Sequence, residues 1–160
     1  MNAELAPLAL LLAALPFCIW ATVTDLREMK ILNTCNMGLF LAFVAIGAVI
    51  FPLDVYALRL AQGALMLVVG ILLNATGHVG GGDSKFIAAM APFIALQDAT
   101  VFLMLLAATS LITVGLHRGV GAISPLQPAL AGWKSWQVGS KFPFGVTLSA
   151  ALMAYLALGL

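Results

Sequence analysis

Two aspartates stand at the edges of apolar runs in a chain with few acids. Asp25 lies in Thr24-Asp25-Leu26-Arg27-Glu28-Met29-Lys30-Ile31-Leu32-Asn33, directly after an uncharged stretch, and Asp83 ends the run Gly80-Gly81-Gly82-Asp83 ahead of Ser84 and Lys85. An ionisable side chain beside an apolar segment is costly, which makes each a candidate for function. Two carboxyls brought within a few ångströms cannot both ionise easily, so they share one proton and titrate as a pair. Such a pair can hydrolyse a peptide bond. The ionised member takes a proton from water while the protonated member donates to the scissile carbonyl oxygen, and the roles then reverse. No metal and no cofactor is needed for this chemistry.

Each residue also has a purely structural reading. Asp25 could belong to a juxtamembrane charge cluster with Arg27, Glu28 and Lys30, although a carboxylate at a helix C-terminus opposes the helix dipole. Asp83 could be the N-cap of a following helix, a task open to Ser84 as well. Three consecutive glycines weigh against capping alone, since each lowers helix propensity by about 1 kcal/mol relative to alanine. Lacking a Cβ, they admit a second backbone at close range, as an extended peptide substrate requires.

The elements that position these residues follow from composition. Of 160 residues, 63% are hydrophobic and 8% charged, against about 25% charged in a soluble globular domain. So few charges cannot solvate a water-facing surface, and the expected solvent is lipid. The formal charge of +1 provides no basic field for nucleic acid. Cys18 and Cys35 form no C-x-x-C pair and read as buried small hydrophobes.

Uncharged apolar runs predict an all-α polytopic membrane protein with about six spans, near 5–24, 34–53, 58–78, 81–97, 99–117 and 142–160, as one domain. The fourth is ambiguous, because its uncharged core, Phe86 to Gln97, is short. Loop charge decides in its favour. If it spans, Arg27, Lys30, Lys85, Arg118, Lys134 and Lys141 share the cytoplasmic side and Arg59 alone takes the other. Both termini then lie outside. At about 1.5 Å per residue, crossing about 27 to 30 Å requires this helix to begin near Gly80. The first segment has no basic n-region and reads as a retained helix, not a signal peptide. Pro7 and Pro16 fall inside it, where neighbouring helices tolerate a kink.

The connection 118–141 carries Trp133 and Trp136 and reads as a cytoplasmic loop with its indoles at headgroup depth. His78 and His117 read as interfacial anchors, and the methionines, Met29 among them, as packing. Lys85, two residues from Asp83, does not face it on a regular helix, but could bias the pair or hold a loop.

Three elements resemble a known family. Gly80-Gly81-Gly82-Asp83-Ser84-Lys85 is similar to the G-x-G-D-x-K motif of the prepilin (leader) peptidases, a bacterial branch of the G-x-G-D membrane aspartic proteases. Asp25, the basic stretch Arg27 to Lys30 and Asn33 resemble that family's D-x-x-x-x-x-I-P-N element, with Leu32 in place of proline. Lys141-Phe142-Pro143-Phe144-Gly145 is similar to its K-x-P-Y-G element, with Phe144 in place of tyrosine. The resemblance implies a six-helix bundle in the bacterial cytoplasmic membrane that removes the leader from type IV prepilins or pseudopilins at the cytoplasmic face. Asp25 and Asp83 would be catalytic, and Gly80, Gly81, Gly82, Lys85, Asn33, Pro143 and Gly145 would bind substrate or shape the site. The expected partners are the prepilin helix and membrane lipid. The chain resembles the short form associated with Flp-type tight-adherence pili, which lacks the cytoplasmic domain with paired C-x-x-C motifs, and N-methyltransferase activity is not expected.

Two readings from other classes compete. A small proton-coupled transporter could relay ions through Asp25 and Asp83, but the predicted spans have no charge near the middle and the chain has no similar halves. A non-catalytic membrane subunit of a pilus or secretion system would leave the glycines as a helix-packing feature.

Overall fold

The computed structural model describes residues 5–139 and 141–160, and every regular element among them is helical. The main helices are α1 (Leu5–Glu28), α2 (Asn33–Ile50), α3 (Leu53–Ala75), α4 (Gly81–Met90) and α5 (Ala99–Ala122). They are followed by two single-turn helices, α6 (Gln127–Leu130) and α7 (Lys134–Gln137), and by α8 (Phe144–Ala157). By length and composition, α1, α2, α3 and α5 suffice to cross a membrane. Large apolar side chains such as Leu65, Val68 and Ile71 on α3 and Leu103, Met104 and Leu111 on α5 are exposed, as a lipid solvent permits.

The core lies where α1 packs against α2 and α8. On α1, Leu10, Ala14, Cys18 and Ala21 recur at helical spacing and are all buried, and Asp25 continues the same stripe. The small side chains of Ala14, Cys18 and Ala21 let a neighbouring helix come near. Cys35, Leu39, Phe43 and Gly47 form the matching stripe on α2, and Leu148, Ala151, Leu152 and Tyr155 that on α8. Both cysteines are free and buried, and Cys35 Sγ lies 3.3 Å from the carbonyl oxygen of Phe17.

The fourth segment departs from the expected continuous span over 81–97. Helix α4 has 10 residues, and 3-10 turns at Ala91–Phe93 and Leu96–Asp98 complete the passage to α5. Pro92 explains the break, because it has no N–H and its ring clashes with the carbonyl four residues earlier. Broken backbone is tolerated at membrane depth only where protein satisfies the freed groups, and here α3 and α8 do so. Arg59 Nη1 donates to the Pro92 and Phe93 carbonyls at 3.1 and 3.2 Å. Gln62 Nε2 donates to Ala91 and Ile94 at 3.3 and 3.2 Å. The Ala95 N–H donates to Tyr155 Oη, which in turn donates to Asp98. Gly63 brings α3 close enough that an added Cβ would sit 2.8 Å from the Pro92 ring.

Other boundaries also shift. Helix α3 begins at Leu53, not near 58, directly after Pro52, with Phe51 extended at φ −98° and ψ 146° as a residue before proline prefers. Helix α5 runs past its apolar end at His117 to Ala122, ahead of the turn containing Pro125. The expected surface loop is therefore shorter and packs on the bundle. The Trp136 indole stacks on His117 with centroids 4.5 Å apart and donates to its carbonyl, and Arg27 lies over the Trp133 ring.

Because Arg59 answers two of the carbonyls freed by the break, Arg59→Met should destabilise the protein in detergent by about 1–3 kcal/mol. A thermal melt matching wild type would show that the break does not depend on this side chain.

Candidate active site

Asp25 occupies the last turn of α1, on the buried stripe, and its side chain is 5% exposed. The helix stops just beyond it: Met29 takes a left-handed backbone conformation, φ 56°, while its N–H closes the final bond to the Asp25 carbonyl at 2.9 Å. The Asp25 carboxylate thus faces the negative end of its own helix, an unfavourable position. A second helix offsets this. Pro143 is the N-cap of α8, so Gly145 lies in the first turn, where backbone N–H groups have no intrahelical acceptor. The Gly145 N–H donates to Asp25 Oδ2 at 2.7 Å, and the positive end of α8 faces the carboxylate.

Gly145 has to be glycine for this contact. A Cβ there would lie 2.8 Å from Asp25 Oδ2 and 2.7 Å from Ile31 Cδ1. Pro143 is itself fully buried and fixes where α8 begins.

Asp83 stands in the first turn of α4, whose N-cap is Gly80. It is therefore not the N-cap, and neither is Ser84, whose hydroxyl donates to the Gly80 carbonyl at 3.0 Å. An acidic residue in the first turn is favoured by the helix dipole. The half-buried Asp83 carboxylate folds back over Gly80, where a Cβ would lie 2.9 Å from Oδ2. Gly82 admits a second backbone, and that backbone is the protein's own: a Cβ would meet the Ile31 carbonyl oxygen at 3.2 Å. Gly81 faces the Asn74 side chain at ordinary contact distance.

The start of α4 is tied to the start of α2 by two further bonds. Lys85 Nζ donates to Asn33 Oδ1 at 2.9 Å, and Asn36 Nδ2 donates to the Gly82 carbonyl at 3.3 Å. Lys85 thus holds the α1–α2 connection across from Asp83. Asn36 was missed in the sequence, although an amide one turn inside an apolar span is a recognisable signal. It is buried, and its Oδ1 has no partner.

Asp25 and Asp83 line one open cavity of about 540 Å³, together with residues 29–33, the three glycines 80–82, Lys141, Phe142 and Phe144. Two carboxyls from separate helices share this space with basic groups at its rim and room for an extended peptide segment. Met29, expected as packing, lines the cavity and lies outside the buried core. The histidines lie apart: His78 bonds Thr76 beyond α3, and His117 packs with Trp136 and Phe142.

No curated protein and no solved structure matched the chain. A family model, that of the type IV leader peptidases, matches residues 12–116 and so contains both aspartates, the glycine run and Lys85. A match over most of the chain, on an all-helical membrane fold that brings both aspartates and the glycine run to one cavity, places this protein in the type IV leader peptidase family.

Proposed function

We propose that this chain is an aspartic endopeptidase of the bacterial cytoplasmic membrane that cleaves the leader from type IV prepilins or pseudopilins, with Asp25 and Asp83 activating water. The observation that carries the reading is that these two carboxyls, far apart in sequence, line the same glycine-walled cavity. Both carboxyls open on this one space, and a dyad closed to within a few ångströms shares a proton. A water between them loses a proton to the ionised carboxylate and attacks the scissile carbonyl carbon. The protonated partner donates to the carbonyl oxygen, and the resulting tetrahedral diol collapses with proton transfer to the leaving amine.

The chain's own residues supply the positioning. Gly145 orients one carboxylate oxygen of Asp25, Gly80 makes room for Asp83, and the Lys85–Asn33 bond with the Gly82–Ile31 contact fixes the spacing between the two helix ends. Lys30, Lys85 and Lys141, all close to the cavity, support a cytoplasmic orientation. A prepilin is itself an apolar helix behind a hydrophilic leader, so it could present its leader junction at the depth of the aspartates.

Asp25→Asn and Asp83→Asn should each lower leader removal by at least about 10²- to 10⁴-fold, measured by immunoblot in membranes co-expressing a Flp-type prepilin, with the protease at normal abundance. Either variant processing at the wild-type rate would sink the two-aspartate mechanism. The wild-type pH–rate profile should be bell-shaped, because the pair must hold one proton, and a profile flat from acid to alkaline would contradict the shared proton. Gly145→Ala, by displacing the Asp25 carboxylate, should slow cleavage by roughly 10²-fold while the protein remains inserted. Wild-type turnover in that variant would show that Gly145 does not set the carboxylate.

A further inference from the structure

We propose that Met29 is a specificity-determining residue, its side chain forming the apolar seat for a side chain of the bound peptide next to the scissile bond. The inference rests on the peptidase reading and deepens it. Among the described residues four have positive φ: Gly77, Gly139, Gly159 and Met29. The three glycines sit in the open, where an added Cβ would meet nothing within 4 Å, and they serve only as turns. The left-handed conformation disfavours L side chains, and glycine removes the penalty. Among the described residues, then, glycine stands at the left-handed positions where only the backbone shape matters. At the position that opens on the two aspartates the chain carries a long apolar side chain instead.

The surroundings agree. Arg27 and Glu28 are exposed and lie outside the cavity and Lys30 reaches its rim exposed, whereas Met29, inside the same charged run, is half-buried and lines the cavity. Ile31, Phe142 and Phe144 continue the apolar surface on the same cavity, and the three glycines with Asp83 line its polar part. An extended peptide passing between these walls would bring backbone to the glycines and one side chain to Met29. Methionine suits that task because its unbranched, polarizable chain adapts to the shape it meets.

Substitution by glycine separates the two roles, because a residue that merely ends α1 is improved or unaffected by it. The full-length protein in detergent should cleave a Flp-type prepilin with KM raised about 10-fold in Met29→Gly and kcat little changed, the pattern of lost ground-state binding. Its melting temperature should equal or exceed that of wild type. Met29→Leu should restore most of the affinity. Replacing the apolar residues flanking the cleaved bond by alanine, one at a time, should identify one position at which Met29→Gly costs nothing further. Wild-type KM in Met29→Gly, or an equal loss with every substrate variant, would overturn the proposal and leave Met29 a helix stop. Unimpaired cleavage by Asp25→Asn, or none by wild type, would instead overturn the peptidase reading beneath it.

Discussion

The bond from the Gly145 N–H to Asp25 Oδ2 joins the first helix to the last at the candidate site. A carboxylate on the buried face of an apolar helix, at that helix's negative end, is electrostatically misplaced by every local criterion. Its position becomes tenable because α8 begins opposite it and offers a first-turn N–H with no other acceptor. The requirement is mutual, since α8 also needs a partner for that buried donor. The contact therefore closes the chain's last helix on its first, and the α1–α8 packing from Ala14 through Tyr155 lies beneath it.

The second aspartate is set against this frame by the connection between α1 and α2. Ile31 touches both sides: its side chain rests where a Gly145 Cβ would be, and its backbone where a Gly82 Cβ would be. One residue thus spaces the two helix ends that carry the aspartates, while Asn33 and Asn36 fasten the start of α4 through Lys85 and the Gly82 carbonyl. Gly80, Gly82 and Gly145 owe their identity to this internal crowding, whereas Gly81 has only ordinary contacts. At Gly80 and Gly145 the atom displaced by a Cβ is a carboxylate oxygen of the site itself.

Much of this was legible in the sequence because it depends on local chemistry and periodicity. The lipid solvent follows from composition, and Asp25 at a helix C-terminus follows from the apolar run before it; its burial in register with Leu10, Ala14, Cys18 and Ala21 appears only once α1 is seen to continue to Glu28. The Gly145 contact was not legible, because it joins residues 120 positions apart and the dipole at Asp25 could be judged only against its own helix. The break at Pro92 was written in the chain, yet a hydropathy window cannot see a hydrogen-bond donor. Arg59, which charge counting set alone on the outer side, answers the freed carbonyls of that break. Met29 was obscured for a related reason, since its left-handed φ is a property of the turn and not of the residue type.

The departures from the family pattern can be weighed in the same terms. Leu32, where the resembling motif has proline, is the N-cap of α2 with φ −73° and ψ 143°, within the range that a proline ring imposes. The folded connection therefore has the shape a proline would give it, and the difference lies chiefly in the freedom of the unfolded chain. Phe144 lines the cavity where the resembling motif has tyrosine, so this position offers an apolar ring without a hydroxyl. Phe144, Ile31 and Met29 thus line the same cavity with apolar side chains, beside the glycines that Ile31 itself touches at Gly82.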